Sequence, residues 1–135
     1  MKWFILFSLV PMSIFACVDL TGNYRYCHRV QGSSNELNPL TIWQSIPGGN
    51  EYVINGRTIV ADDLSRVETP DVTGNDSDLS MTYSCDDKEL IVVMRDPNDP
   101  KLEITMRYSK QGTALVVKST AKAPYDHIND VNVCD

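Results

Sequence analysis

The chain has 135 residues, of which 42% are hydrophobic and 22% are charged, and its formal net charge is −6. This length suits one domain with a single hydrophobic core, and the composition is that of an ordinary globular protein. The acidic balance argues against a nucleic-acid-binding protein, and against one attracted to anionic membranes, because both need a surplus of lysine and arginine.

The first sixteen residues have the order of features typical of an export signal. Lys2 supplies a positive charge, residues 3–15 are apolar with few interruptions, and Ala16 is a small residue suited to cleavage. The apolar run is too short to cross a membrane comfortably, and no other segment approaches that length. We therefore predict a signal peptide over 1–16, one domain over 17–135, and a secreted or periplasmic location.

The four cysteines indicate disulfides rather than a metal site. Residues 14–17 also resemble the cleavage box of bacterial lipoproteins, so an outer-surface lipoprotein with a lipid anchor on Cys17 is the alternative. A lipid there would leave an odd number of cysteines, whereas an unmodified Cys17 allows two disulfides with none left over. We favour two disulfides. No cysteines and histidines have the spacing of a zinc site, so no metal is predicted.

The first predicted strand covers residues 23–31. Its period-two alternation places four residues on one face, which we expect to look inward: Tyr24, Tyr26, His28 and Val30. We interpret His28 as a core or rim residue, and a pH-sensitive cavity group is the functional alternative.

Leu20-Thr21-Gly22-Asn23-Tyr24 resembles the opening of the calycin barrels, the group that contains the lipocalins and avidins. Their first strand begins Gly-x-Trp, and that of the avidins begins Leu-Thr-Gly-x-Trp. The resemblance implies a barrel in which Tyr24 closes one end, with Lys118 or Lys122 as the basic residue packed against it. It leaves the ligand open, because the avidin biotin pocket needs several tryptophans and the predicted mature chain has only Trp43.

Three more strands are predicted before residue 62, over 40–46, 51–55 and 57–61. Only Gly56 separates the last two, so they form either two strands or one strand bent at a bulge. Trp43 falls on the polar face of its strand. There it either packs under a loop or the C-terminal tail, which we favour, or anchors a partner.

Residues 62–78 predict an irregular acidic loop. Its carboxylates suggest calcium, because hard cations take clustered oxygen ligands: Asp62, Asp63, Asp71, Asp76 and Asp78. The spacing is not that of an EF-hand, so we interpret the segment as a solvated loop.

The second half of the chain predicts a meander. Its strands alternate apolar and polar residues, and short connections rich in turn formers favour antiparallel pairs: 79–85, 89–95, 101–109 and 113–121. With the earlier strands the total is about eight, which is enough to close a barrel. The predicted fold is an all-β, antiparallel up-and-down barrel, lipocalin-like and stapled by disulfides.

Leu90–Met94 is apolar at every position, as is typical of a strand covered on both faces. One face would look into the barrel, and the other would be covered by the 123–135 tail or by a partner. We expect the tail to pack across the outside.

We favour the disulfides Cys17–Cys134, which joins the ends of the mature chain, and Cys27–Cys85, which joins two strands. Strict alternation puts Cys27 and Cys85 on opposite faces, which counts against the second bond.

No arrangement of residues indicates catalysis. No serine lies in a Gly-x-Ser-x-Gly turn, the carboxylates lie mostly in loops, and the adjacent Asp126 and His127 point apart in an extended chain. We predict neither an enzyme nor a cofactor.

The residues predicted to face the interior combine apolar surface with adaptable or polar ends, which suits a ligand pocket. They are Tyr24, Tyr26, Met81, Tyr83, Ile104, Met106, Tyr108, Leu115 and Val117. This pattern favours an exported protein that binds a small apolar or amphipathic ligand. The alternative is a solid core and a protein-interaction module, resembling a disulfide-bonded bacterial protease inhibitor or an envelope structural protein.

Overall fold

The computed structural model of this chain describes residues 16–68 and 79–135. The predicted signal peptide up to residue 15 and the acidic-loop residues Asp71, Asp76 and Asp78 lie outside the described residues.

The described residues form eleven β-strands and no helix. The strands are β1 (Gly22–Tyr24), β2 (Cys27–Gln31), β3 (Leu40–Gln44), β4 (Glu51–Ile54), β5 (Arg57–Val60), β6 (Ser65–Glu68), β7 (Leu79–Cys85), β8 (Glu89–Asp96), β9 (Asp99–Gln111), β10 (Ala114–Ala121) and β11 (Asn129–Cys134).

The strands are arranged in two sheets. One has four strands in the order β1-β3-β4-β5, and the other has seven in the order β2-β11-β10-β9-β8-β7-β6. Every pair of neighbouring strands is antiparallel. The all-β, antiparallel prediction is confirmed, whereas no closed barrel is found among the described strands.

The predicted meander corresponds to β7 through β10, which pair in succession. Met81 lies opposite Met94, Val92 opposite Met106, and Tyr108 opposite Val117. Because the side-chain period of a strand is two, this register brings the alternate apolar residues of all four strands to one face.

The predicted first strand is in fact two strands in different sheets. Between them, the backbone of Arg25 and Tyr26 bonds to Asp135, with Arg25 N 2.8 Å and Asp135 N 2.8 Å from their carbonyl partners. Alternation does not continue through such a break. Tyr24 is buried, but Tyr26 is 75% exposed, and His28 and Val30 are exposed as well. The prediction that these last three residues face inward is wrong.

Two strands lie where the sequence predicts none. β6 lies in the predicted acidic loop, and β11 lies in the predicted tail. β11 is inserted between β10 and β2 instead of packing across the outside of the sheet. Its inward residues Asp130 and Asn132 are polar although only 5% and 3% exposed, so the alternation of β11 does not resemble that of a core strand.

The apolar β8 strand is buried on one face only. Leu90 and Val92 are 0% and 4% exposed, whereas Ile91 and Val93 on the other face are half-buried. Val93 lies between Thr82 and Thr105 of the neighbouring strands. The predicted covering by the tail is wrong, because the tail is itself a strand of this sheet.

The hydrophobic core lies between the sheets. Both sheets and the segment before β1 contribute to it, and its most buried side chains include Leu20, Tyr24, Ile42, Tyr52, Tyr83, Leu90, Val92, Leu115 and Val117. Each contributes about 1.5–3 kcal/mol of burial free energy.

Two disulfides join Cys17 to Cys85 and Cys27 to Cys134. The formation of two disulfides is confirmed, and both predicted pairings are wrong. Cys27 and Cys134 are cross-strand neighbours in β2 and β11. The sequence analysis did not predict this contact, because it interpreted β11 as part of an irregular tail. The sulfur of Cys17 is bonded to Cys85 and is therefore not free to carry a lipid.

Candidate functional site

The nine residues predicted to line a pocket do not surround one cavity. Leu115 and Val117 are 0% exposed and Tyr83 is 4% exposed, so they fill the space between the sheets. Tyr26 is on the surface. Of the others, Tyr24 is in the core, Met81, Met106 and Tyr108 pack against it, and Ile104 is half-buried in β9.

A small cleft, here called the mouth cleft, opens at one end of the space between the sheets. It has a volume of about 110 Å³ and is lined by Arg57, Glu68, Leu79, Met81 and Met94. Of the predicted lining residues, only Met81 belongs to it.

A polar network lies beside the mouth cleft and connects the two sheets. Arg57 pairs with Ile54 on the inner face of the four-stranded sheet, and Glu68 pairs with Leu79 on the inner face of the other. Arg57 Nη2 lies 2.7 Å from Glu68 Oε2, and the Tyr83 hydroxyl donates to the same carboxylate. Burial, and then the hydrogen bond to Glu68, raise the pKa of Tyr83. The sequence does not predict this network, because its pattern indicates an irregular loop over 62–78, which includes Glu68.

The size of the mouth cleft restricts what it can hold. Sites that enclose a small molecule usually have volumes of roughly 300–1,000 Å³, and this cleft has about 110 Å³. It therefore has room for one apolar group between the flexible side chains of Met81 and Met94, next to the exposed guanidinium of Arg57.

A larger cleft, here called the basal cleft, lies near Lys110, at the C-terminal end of β9. Its volume is about 420 Å³, and it is lined by Thr21, Gly22, Asn23, Tyr24, Lys110, Gly112, Thr113 and Asp135.

Tyr24 forms part of the wall of the basal cleft. Its hydroxyl donates to the carbonyl oxygen of Leu20 at 2.8 Å, and burial raises its pKa. The basic residue on this side is Lys110, whose Nζ donates to the carbonyl of Thr21 at 3.0 Å.

Neither lysine predicted to partner Tyr24 lies beside it. Lys118 is exposed on the outer face of β10, opposite Arg107. Lys122 Nζ lies 3.6 Å from Glu103. That prediction is wrong, because strand parity directs Lys118 outward and Lys122 follows the end of β10.

Trp43 lies on the outer face of β3, opposite Val53 of β4. It is 49% exposed, and the C-terminal tail that was expected to cover it belongs to the other sheet. Trp43 is therefore a surface residue, next to the side chain of its cross-strand neighbour Val53.

Within residues 16–68 and 79–135, no group of three or more histidine, cysteine, aspartate or glutamate side chains is placed to hold a metal ion. The same residues contain no helix long and apolar enough to span a bilayer. No protein-family model, curated protein or solved structure matches this chain.

Proposed function

We propose that this protein is an exported binding module that holds a protein partner at the mouth cleft. The observation that carries the proposal is the size of this cleft, about 110 Å³, which suits one apolar side chain of a partner better than a whole enclosed ligand. The predicted signal peptide and the two disulfides support export, since disulfides persist in oxidising compartments.

In the proposed binding module, the two sheets are opposite walls of one flattened barrel. β1 continues into β2 through Arg25 and Tyr26, and β5 continues into β6 through residues 61–64. At the second junction the amide of Asp63 donates to the carbonyl of Tyr83 at 2.8 Å. In this arrangement the mouth cleft is the open end of the barrel, and Tyr24 closes the opposite end.

Binding would use both the apolar and the charged sides of the mouth cleft. An apolar side chain of the partner enters between Met81 and Met94, whose unbranched thioethers adapt to its shape. Arg57 is 55% exposed and can turn toward a polar group of the partner. Glu68 is 18% exposed and still accepts the hydrogen bond from the hydroxyl of Tyr83.

The competing function is a carrier that encloses a small apolar or amphipathic ligand. That function needs room at the centre of the molecule, where Tyr83, Leu115 and Val117 belong to one cluster of buried hydrophobic residues. A ligand there would have to displace side chains whose burial contributes about 1.5–3 kcal/mol each.

A peptide-display selection on the purified protein tests the proposal, with Met94→Gln as the site variant. Val93→Gln is the matched control, because Val93 is the adjacent residue and lies on the opposite face of β8. Selected peptides should lose about tenfold in affinity on Met94→Gln and keep it on Val93→Gln.

Binding of an apolar fluorescent probe such as N-phenylnaphthylamine tests the competing carrier function. The proposal predicts no enhancement of its fluorescence. Enhancement that fatty acids reverse, together with a failed peptide selection, would establish the carrier instead.

A further inference from the structure

We propose that a peptidase must remove the predicted signal peptide before the Cys17–Cys85 disulfide closes, because the folded protein protects the bond between Ala16 and Cys17. This order of steps rests on the proposed export of the protein and on the predicted cleavage after Ala16. The cleavage is a hydrolysis. The oxygen of a water molecule joins the carbonyl carbon of Ala16, which becomes a carboxylate, and the nitrogen of Cys17 becomes an ammonium group.

The residues that follow this bond are part of the folded structure. Cys17 is 7% exposed and Leu20 is 0% exposed, whereas Ala16 is exposed. The amide of Cys17 donates to the carbonyl of Gly48 at 3.0 Å, and a Cβ added at Gly48 would lie 3.4 Å from Cβ of Ala16. The bond between Ala16 and Cys17 therefore lies directly against the turn between β3 and β4.

Val18 fixes the same segment to both sheets. Its amide donates to the carbonyl of Asp86 at 2.8 Å, in the turn between β7 and β8. Its carbonyl accepts from the Tyr52 hydroxyl at 2.7 Å and from Gln44 Nε2 at 3.0 Å, both on the four-stranded sheet. These three hydrogen bonds, and that of Cys17, would have to break before the segment could leave the fold.

The disulfide makes this attachment covalent. Cys17 is bonded to Cys85, at the C-terminal end of β7, with a Cα–Cα distance of 5.3 Å. Its formation transfers two electrons and two protons from the two thiols to a thiol oxidant, such as a disulfide oxidoreductase. Hydrogen bonds break and re-form as a protein opens locally, but the disulfide persists until a thiolate attacks it.

A peptidase binds several residues on both sides of the bond that it cuts as an extended chain in its own active site. Residues whose backbone is hydrogen-bonded and whose side chains are buried cannot bind in this way. Cleavage of a folded protein therefore proceeds through a locally opened form, at a rate set by the population of that form. In the oxidised chain, Cys85 holds Cys17 at the sheet even when the hydrogen bonds open. The oxidised, folded precursor should therefore keep its signal peptide.

The fold accommodates the terminus that cleavage creates. The ammonium group of Cys17 carries three N–H donors, one of which can keep the hydrogen bond to the carbonyl of Gly48. A hydrogen bond from a charged donor is stronger than one from an amide. The order of the two steps therefore follows from access to the bond between Ala16 and Cys17, since the processed chain can keep the contacts of Cys17.

Cleavage of the full precursor by purified signal peptidase tests this order. The 1–135 chain is held in detergent micelles, with one sample reduced by dithiothreitol and the other refolded and oxidised with glutathione. Mass spectrometry follows the appearance of a chain that begins at Cys17. The reduced sample should be cut, and the oxidised sample should be cut at least about a hundredfold more slowly. Equal rates would overturn the proposed order but not the proposed export. If neither sample is cut, both fail.

Paired serine variants separate the attachment of the segment from general stability. Cys17→Ser with Cys85→Ser removes the covalent link. Cys27→Ser with Cys134→Ser is the matched control, because it removes a disulfide of similar expected stabilisation. Once folded, the first variant should be cut at least about tenfold faster than the control, and equal rates would contradict the protection by the disulfide. The comparison of oxidised and reduced wild-type precursor needs no variant, so it decides the matter if either variant fails to fold.

Discussion

The hydroxyl of Tyr83 lies 3.1 and 3.0 Å from the two carboxylate oxygens of Glu68, beside the mouth cleft. Tyr83 belongs to the core, with 4% of its surface exposed, so its hydroxyl has no easy access to water as an alternative partner. The hydrogen bond therefore connects the core of the seven-stranded sheet to the ion pair that bridges both sheets.

Removing this hydroxyl should lower the free energy of unfolding. Tyr83→Phe leaves Glu68 with Arg57 alone, and hydrogen bonds to charged groups contribute about 2 kcal/mol. Urea titration measures the change. Tyr26→Phe is the control, because Tyr26 is 75% exposed, and it should change stability by less than about 0.5 kcal/mol. Equal effects of the two substitutions would contradict the stabilising role of the bond.

Stability should decline as the pH rises above the ordinary tyrosine pKa near 10. Burial raises the pKa of Tyr52 and of Tyr108 to about 12, and it raises those of Tyr24 and Tyr83 as well. The unfolded chain then releases protons that the folded chain keeps, so each unit of pH favours unfolding. Tyrosinate absorbance should rise together with the loss of circular dichroism, and complete ionisation of a folded protein would refute this.

Asp130 should contribute to stability at neutral pH and lose that contribution in acid. Hydrogen bonds from Ser34, and the amide of Ser33 at 2.9 Å, hold the pKa of Asp130 below its ordinary value. The stabilisation is therefore present above about pH 4 and lost as the pH falls through the lowered pKa. Asp130→Asn should destabilise the protein at pH 7 and flatten the acid side of its stability profile. Asp87→Asn, in an exposed turn, should leave the profile unchanged.

Gly22→Ala should destabilise the protein by overpacking. The added Cβ would lie 2.8 Å from Cζ of Tyr24, and that ring is held by its bond to Leu20 and by its burial. Overpacking of this kind costs about 1–3 kcal/mol. A double-mutant cycle with Tyr24→Leu measures the coupling, since the smaller side chain removes the ring atoms that clash. A coupling energy of zero would show that the two positions do not meet.

Peptide mapping without reduction should recover Cys17 linked to Cys85 and Cys27 linked to Cys134. The linked residues are 68 and 107 apart, so loop-closure entropy predicts that removing either bond costs at most about 4–5 kcal/mol, with a difference of only ~0.4 kcal/mol between them. Paired serine substitutions and urea titration measure the two costs. Recovery of Cys17 linked to Cys134 would contradict the pairing.

The second half of the fold was predictable because its signals are local. In 79–121, alternation sets which residues face inward, and turn residues at each connection set the antiparallel order. The predicted strand over 79–85 coincides with β7, and the other three differ by at most two residues at any end.

The first strand and the last required long-range information. Arg25 and Tyr26 leave the alternation because they bond to Asp135, about 110 residues away. β11 was unrecognisable because Asp130 and Asn132 occupy inward positions, where they accept hydrogen bonds from the amides of Ser33, Ser34 and Leu37. Buried polar residues satisfied by a distant loop are not encoded in the local pattern.

The candidate sites were predictable only in part. Met81 and Tyr24 were identified as inward residues and do line the two clefts. Glu68 was missed because its segment was predicted to be an irregular loop. Lys110 and Asp135 were missed because their partners lie far away in the sequence, Thr21 for Lys110 and Arg25 and Tyr26 for Asp135. The sequence also could not show that Leu115 and Val117 fill the interior, since filled and hollow barrels share the same alternation.

The disulfide connectivity sets a requirement on how the chain matures. In the export that we propose, which begins at the N-terminus, Cys17 and Cys27 would emerge first, when each has only the other as a partner. Both native bonds need a cysteine that is synthesised much later, and Cys134 is the last of the four. Rapid oxidation would therefore trap a non-native link between neighbours in sequence. A producing cell must either delay oxidation until translocation is complete or supply a disulfide isomerase to exchange that link.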